Sequence, residues 1–135
     1  MNIQTVDLIK QYYKAFNEGK MEAFFALMTD DIIHDINQGG REVGKDAFRK
    51  FMDRMNRNYK EKVVDLVVFS NEKGDRGAAE FVIEGLYVAT DEGLPPARGQ
   101  RYHLPVGAFF TLRGGKVARV TNYYNLNDWL FQVKS

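Results

Sequence analysis

The sequence predicts an α+β domain in which N-terminal helices pack on a curved antiparallel sheet. Three observations predict it. Apolar residues recur at helical spacing over the first part of the chain and at strand spacing over the rest, so the chain changes character once. The long strands are joined by short turns, which makes them antiparallel. Helices first and strands after is the pattern of an α+β fold. The 135 residues show no repeat and no linker, so residues 1–135 are expected to form a single domain.

The first helix is expected over residues 6–17. Val6, Ile9, Tyr13 and Phe16 share one face, Thr5 can cap the start and Gly19 can end it. A second helix, 21–28, buries Phe24, Leu27 and Met28 and breaks at Asp30-Asp31. Residues 32–37 read as a short strand closed by Gln38-Gly39-Gly40. A third helix, 45–57, carries Phe48, Phe51, Met52 and Met55 on one side. Strands follow at 63–69, 77–90, 100–113 and 116–125, with a loop at 91–99 fixed by Gly93, Pro95 and Pro96. In the strand from Gln100, Tyr102, Leu104, Val106, Ala108, Phe110 and Leu112 point one way and mark the dry face. In the last strand Val120, Asn122 and Tyr124 oppose Arg119, Thr121 and Tyr123. Asn127 can cap a final short helix with Trp129, Leu130 and Val133.

Composition narrows the function classes. Lys+Arg is 19 and Asp+Glu is 18, a formal charge of +1, with no basic stripe of the kind nucleic acid selects. Cysteine is absent, which excludes disulfides and thiolate chemistry. No apolar stretch is long enough to span a membrane, and a cytoplasmic location is the default expectation. No His-x-His or His-x3-His spacing supports a metal site, and no cofactor is expected.

Polar residues on otherwise apolar strands are the candidates for chemistry. Glu84 sits between Val82 and Leu86, where a carboxylate would have a raised pKa or a partner. It is read as a general acid or base, or as an outward-facing or ion-paired strand residue. His34 and Asp35 are neighbours on one strand, so one faces inward and the other outward. His103 lies opposite Leu104 unless Pro105 and Gly107 mark a bulge that turns it inward. Asn122 can orient a ligand or a water, or fix the core through a hydrogen bond. Tyr12, Phe16, Leu86, Phe110 and Tyr124 are candidates for the wall of a pocket, as His103 is for contact with a substrate.

The element order, with Tyr12-Tyr13-Lys14-Ala15-Phe16-Asn17-Glu18-Gly19 and Ala26-Leu27-Met28-Thr29-Asp30-Asp31, resembles the NTF2-like superfamily and within it the SnoaL-like and ketosteroid-isomerase-related proteins. The resemblance spans the chain and implies the NTF2-like cone. In the steroid isomerases a tyrosine and a protonated aspartate hold the oxyanion while a second aspartate shuttles the proton. Those positions fall on Tyr12, on Gly107 or Ala108, and on Ile36 or Asp35, so the set is incomplete. The stretches Leu104-Pro105-Val106-Gly107-Ala108-Phe109-Phe110 and Thr121-Asn122-Tyr123-Tyr124-Asn125-Leu126 are similar to limonene-epoxide-hydrolase-like proteins. Their Asp–Arg–Asp trio falls on Glu84, Val82 and Asn122, and is also broken.

Two functions are therefore carried forward. One is a cofactor-independent acid–base enzyme (isomerase, cyclase or hydrolase) on an apolar small molecule, with Glu84, Asp35, His34 and Asn122 as its polar set. The other is a non-catalytic ligand-binding or dimerisation module. Exposed aromatics such as Tyr87, Phe109 and Tyr123 point to a homodimer through the open sheet face.

Overall fold

The computed structural model describes residues 1–134. They form α1 (Ile3–Glu18), α2 (Met21–Ala26), β1 (Met28–Asp35), β2 (Arg41–Val43), α3 (Lys45–Asn58), β3 (Tyr59–Ser70), β4 (Arg76–Tyr87), β5 (Gln100–Arg113), β6 (Lys116–Tyr124) and α4 (Leu126–Lys134). One sheet holds the strands in the order β2-β1-β6-β5-β4-β3. The run from β3 to β6 is an antiparallel meander, as expected. β1 closes on β6 in parallel, and β2 pairs antiparallel with β1. The architecture is the expected α+β cone: helices lie on the concave face of a curved sheet. Among the described residues no helix is long and apolar enough to cross a membrane.

The N-terminal cap of α1 is Asn2, whose side chain accepts from the Thr5 backbone N–H at 3.1 Å. Thr5 itself is buried one turn further in, and its hydroxyl donates to the Gly74 carbonyl at 2.7 Å, tying α1 to the β3–β4 hairpin. At the other end Gly19 adopts φ 69°, and its N–H reaches back to the helix carbonyls. The stretch after α2 departs from expectation. Met28 starts β1 by pairing with Val117, so Asp30 and Asp31 lie within a strand rather than breaking a helix. Conversely, residues 36–37 leave the strand and turn toward the interior.

Curvature comes from β3. Asp65 has φ 55°, and the register to β4 shifts between Val64 and Val67. Such a bulge bends a strand and increases its twist. Inside the cone, Tyr12, Tyr13, Phe24 and Phe110 meet edge-on or tilted, with centroids 4.6–6.1 Å apart. Tyr87 is fully buried here, stacked on Tyr59 and packed against Trp129. The expectation that Tyr87 lies exposed is thus corrected: it belongs to the dry set Phe81, Ile83 and Tyr87. The outer face shows Phe109 and Tyr123, 48% and 59% exposed, with ring centroids 5.8 Å apart.

Candidate functional site

A cavity of about 180 Å³ lies between the helices and the concave sheet. α3 supplies Phe48, Phe51, Met52 and Met55, and α4 supplies Trp129. Val63, Phe81, Ile83, Leu104 and Val106 form the sheet wall, with Tyr12 and Phe16 from α1. Leu94, from the loop after β4, also reaches it. That loop is anchored: the Tyr59 hydroxyl donates to the buried Asp91 carboxylate at 2.8 Å, and the Tyr87 hydroxyl donates to the Pro95 carbonyl at 2.6 Å.

Polar groups enter this apolar space from three strands and one turn. His34 comes from β1 and is 2% exposed. Its ring stacks on Phe48 with centroids 4.2 Å apart and meets Phe51 edge-on at 4.6 Å. Nδ1 lies 3.3 Å from Oε1 of Glu42, its direct partner across the β1–β2 ladder. Burial pushes the imidazole pKa below its usual 6.5, with Glu42 opposing the shift. The ring is therefore neutral near neutral pH. A carboxylate only accepts, so Nδ1 carries the proton and Nε2 keeps its lone pair. Nε2 makes no hydrogen bond to the described residues.

Glu61 of β3 is the cavity's carboxyl group. It accepts from the Tyr102 hydroxyl at 2.6 Å. Burial raises its pKa, the Tyr102 hydrogen bond partly offsets the rise, and the proton is held more tightly than on an ordinary glutamate. Burial, reinforced by Glu61, holds the Tyr102 phenol far above its usual value. Asn122 of β6 lines the same space, and among the described residues its side-chain amide makes no hydrogen bond. Asn37 uses Oδ1 to accept from the Tyr124 N–H at 3.2 Å, and its side chain lies beside the Tyr124 phenol; its buried Nδ2 and the buried Tyr13 hydroxyl make no hydrogen bond among the described residues. Buried polar groups are normally satisfied, so orphans gathered on one cavity suit a polar guest.

The structure brings together His34, Asn122, Tyr12, Phe16 and Tyr124 from the sequence candidates. The others lie elsewhere. Glu84 is on the outer face, its side chain 60% exposed and 4.0 Å from Nδ1 of His103. Its strand buries Phe81, Ile83 and Tyr87, and period-two alternation then sends Val82, Glu84 and Leu86 outward. His103 shares that outer face because it pairs directly with Glu84. The β4–β5 register runs unbroken past Pro105 and Gly107, so no bulge turns it inward. Asp35 faces away from His34. It accepts from Arg41 at 2.6 and 3.1 Å and from the Thr121 hydroxyl at 2.7 Å, and the Arg41 bond in particular lowers its pKa. Phe110 is fully buried behind the cavity wall, edge-on to Tyr12, and is core rather than lining.

Glu61, Glu42 and Asn37 are absent from the sequence candidates. Glu61 has a readable signal, since Tyr59, Glu61 and Val63 alternate onto one face. Starting the strand at residue 63 leaves Glu61 outside it and hides that signal. Nothing marks the three-residue strand that carries Glu42. Among the described residues no cluster of three or more His, Asp or Glu side chains is placed to hold a metal.

The SnoaL-like domain family matches residues 9–120. A provisionally assigned polyketide cyclase of Pseudomonas putida KT2440 is 57% identical, with 98% of each chain covered and a TM-score of 0.95. Its provisionally assigned counterpart from Xanthomonas campestris pv. campestris is 50% identical, again with 98% of each chain covered and a TM-score of 0.95. A third, from Silicibacter sp. TM1040, is 45% identical, covering 99% of this chain and 98% of the other, with a TM-score of 0.96. An LEH-like epoxide hydrolase from M. tuberculosis, 12% identical with 98% of this chain and 91% of the other covered and a TM-score of 0.74, shares the fold. No curated protein sequence matches the chain. Sequence pattern, cone and family match agree, and the chain belongs to the SnoaL-like domain family.

Proposed function

We propose that this protein is a cofactor-independent acid–base enzyme that moves a proton at carbon next to a carbonyl of an apolar small molecule. The observation that carries this reading is His34: a buried neutral imidazole in the cavity lining, held by Glu42 through Nδ1, with Nε2 free of hydrogen bonds among the described residues. A base of that kind accepts the α-proton as the carbonyl becomes an enolate. Donors placed where the oxygen gains charge stabilise the enolate. Asn122 and the orphan Nδ2 of Asn37 are the donors at hand. Glu61, which holds its proton more tightly than usual, is the group able to return one. Returning the proton to a different carbon is isomerisation. Enolate attack on a second carbonyl of the same molecule, followed by protonation of the alkoxide, is aldol cyclisation. The 45–57% identical relatives are provisionally assigned as polyketide cyclases, and aldol closure begins with this proton abstraction.

The test is exchange of the α-protons of a small cyclic ketone (2-tetralone) for deuterium in heavy water, followed by NMR. Wild type is expected to accelerate exchange over buffer, and His34→Gln is expected to lose roughly 10²-fold or more of that acceleration. Unchanged exchange in a folded His34→Gln protein would remove His34 as the base.

A further inference from the structure

We propose that the site takes an uncharged compound of one or two rings, bearing a hydroxyl or carbonyl group, and rejects both anions and four-ring substrates. This rests on the acid–base reading for the site's use, but on the cavity's own size and charge for its selectivity. Size comes first. A cavity of about 150 Å³ holds a single benzene ring. The about 180 Å³ here encloses one ring or a compact fused pair, and a tetracycle would have to project past Ile36, Asn37 and Asn122 into the open cleft that those residues also line. Flat walls match that guest, because Phe48, Phe51 and Trp129 line the space with aromatic faces and edges.

Charge comes second. Among the described residues no lysine or arginine lines the cavity. The nearby cations are engaged elsewhere: Arg49 with Glu22, Arg54 beside the Asp91 carboxylate and Arg41 with Asp35. A carboxylate, phosphate or phosphate-bearing carrier would enter without a counter-ion, and burying an unpaired charge is strongly unfavourable. Glu61 is the one carboxyl group of the lining, and it already accepts from Tyr102. What the site offers is neutral hydrogen-bonding capacity: the Asn122 amide, Nδ2 of Asn37, the Tyr13 hydroxyl and Nε2 of His34. Those groups fit a carbonyl or hydroxyl on a ring.

The sole tryptophan of the chain, Trp129, lines this cavity and supplies the readout. Wild-type protein would be titrated near neutral pH with 2-naphthol, 2-naphthoate, 2-naphthylmethylammonium and a four-ring hydroxysteroid, following Trp129 fluorescence. The expected result is saturable binding of 2-naphthol, with each charged analogue weaker by roughly tenfold or more and no saturable response to the steroid. Equal or tighter binding of the anion or the cation, saturable binding of the steroid, or no response to any of the four would overturn the proposal. Selective 2-naphthol binding without ketone exchange would leave it standing and remove the catalytic reading instead. Ketone exchange in a protein that prefers the anion would do the reverse.

Discussion

At the scale of single residues, the two polar side chains that matter are displaced from their solution behaviour in opposite senses. The raised pKa of Glu61 means that the folded state binds its proton more tightly than the unfolded chain does. Its stabilising contribution is complete below the ordinary value of 4.5 and is lost as pH rises through the raised value. Glu61→Gln should therefore flatten stability across that window, as measured by urea denaturation at stepped pH. An unchanged profile would contradict the burial argument. For His34 the sign reverses: a lowered pKa contributes stability above 6.5 that is lost as pH falls through the folded value. Beside Glu84, the sequence offered His34 and Asp35 as a pair of which only one faces inward, because neighbours on a strand face opposite ways. It could not choose between them, because the choice depends on which side of β1 meets α3. The parallel pairing of His34 with Val120 and of Asp35 with Thr121 settles it, sending Asp35 to Arg41 on the outside.

At the scale of elements, the strand that misled was β4. Val82, Glu84 and Leu86 look like an apolar face interrupted by a carboxylate, whereas the buried set is Phe81, Ile83, Gly85 and Tyr87. The long loop between β4 and β5 leaves the register uncounted in the sequence, and a one-residue slip exchanges every side chain between faces. Gly85 shows why the inner set contains a glycine: a Cβ there would lie 2.2 Å from Cζ of Tyr102, well inside contact distance. The absence of that carbon lets Tyr102 lie flat across β4 and deliver its hydroxyl to Glu61. Gly85→Ala should cost about 1–3 kcal/mol in thermal or chemical unfolding, as overpacking does. It should also dislodge Tyr102, so that the Glu61 pKa moves. A neutral substitution would mean that the Tyr102–Glu61 contact has room to spare. The dry face of β5 was legible, because burial alternates along all fourteen residues, although the side of His103 was left open by Pro105 and Gly107. β2 was not, since three residues carry no period.

At the scale of the whole molecule, the cone leaves one face of its sheet open. The half-exposed Phe109 and Tyr123 lie together there, with the Glu84–His103 pair on the same side. We infer a homodimer through this face, the occupant that would cover these aromatics. Sedimentation velocity should give a dimer for wild type and a folded monomer for Phe109→Glu; a monomeric wild type would reject the inference. In that dimer Glu84 and His103 would lie at the interface, and His34 is the imidazole that lines the cavity. The chain has two histidines, and their imidazole nitrogens can be followed separately by NMR across pH. His34 is expected to be neutral near pH 7 and protonated at Nδ1, to titrate below 6.5, and to shift at Nε2 when 2-naphthol binds. A His34 that is protonated at Nε2, or charged at neutral pH, would have no lone pair to offer a substrate and would contradict that expectation.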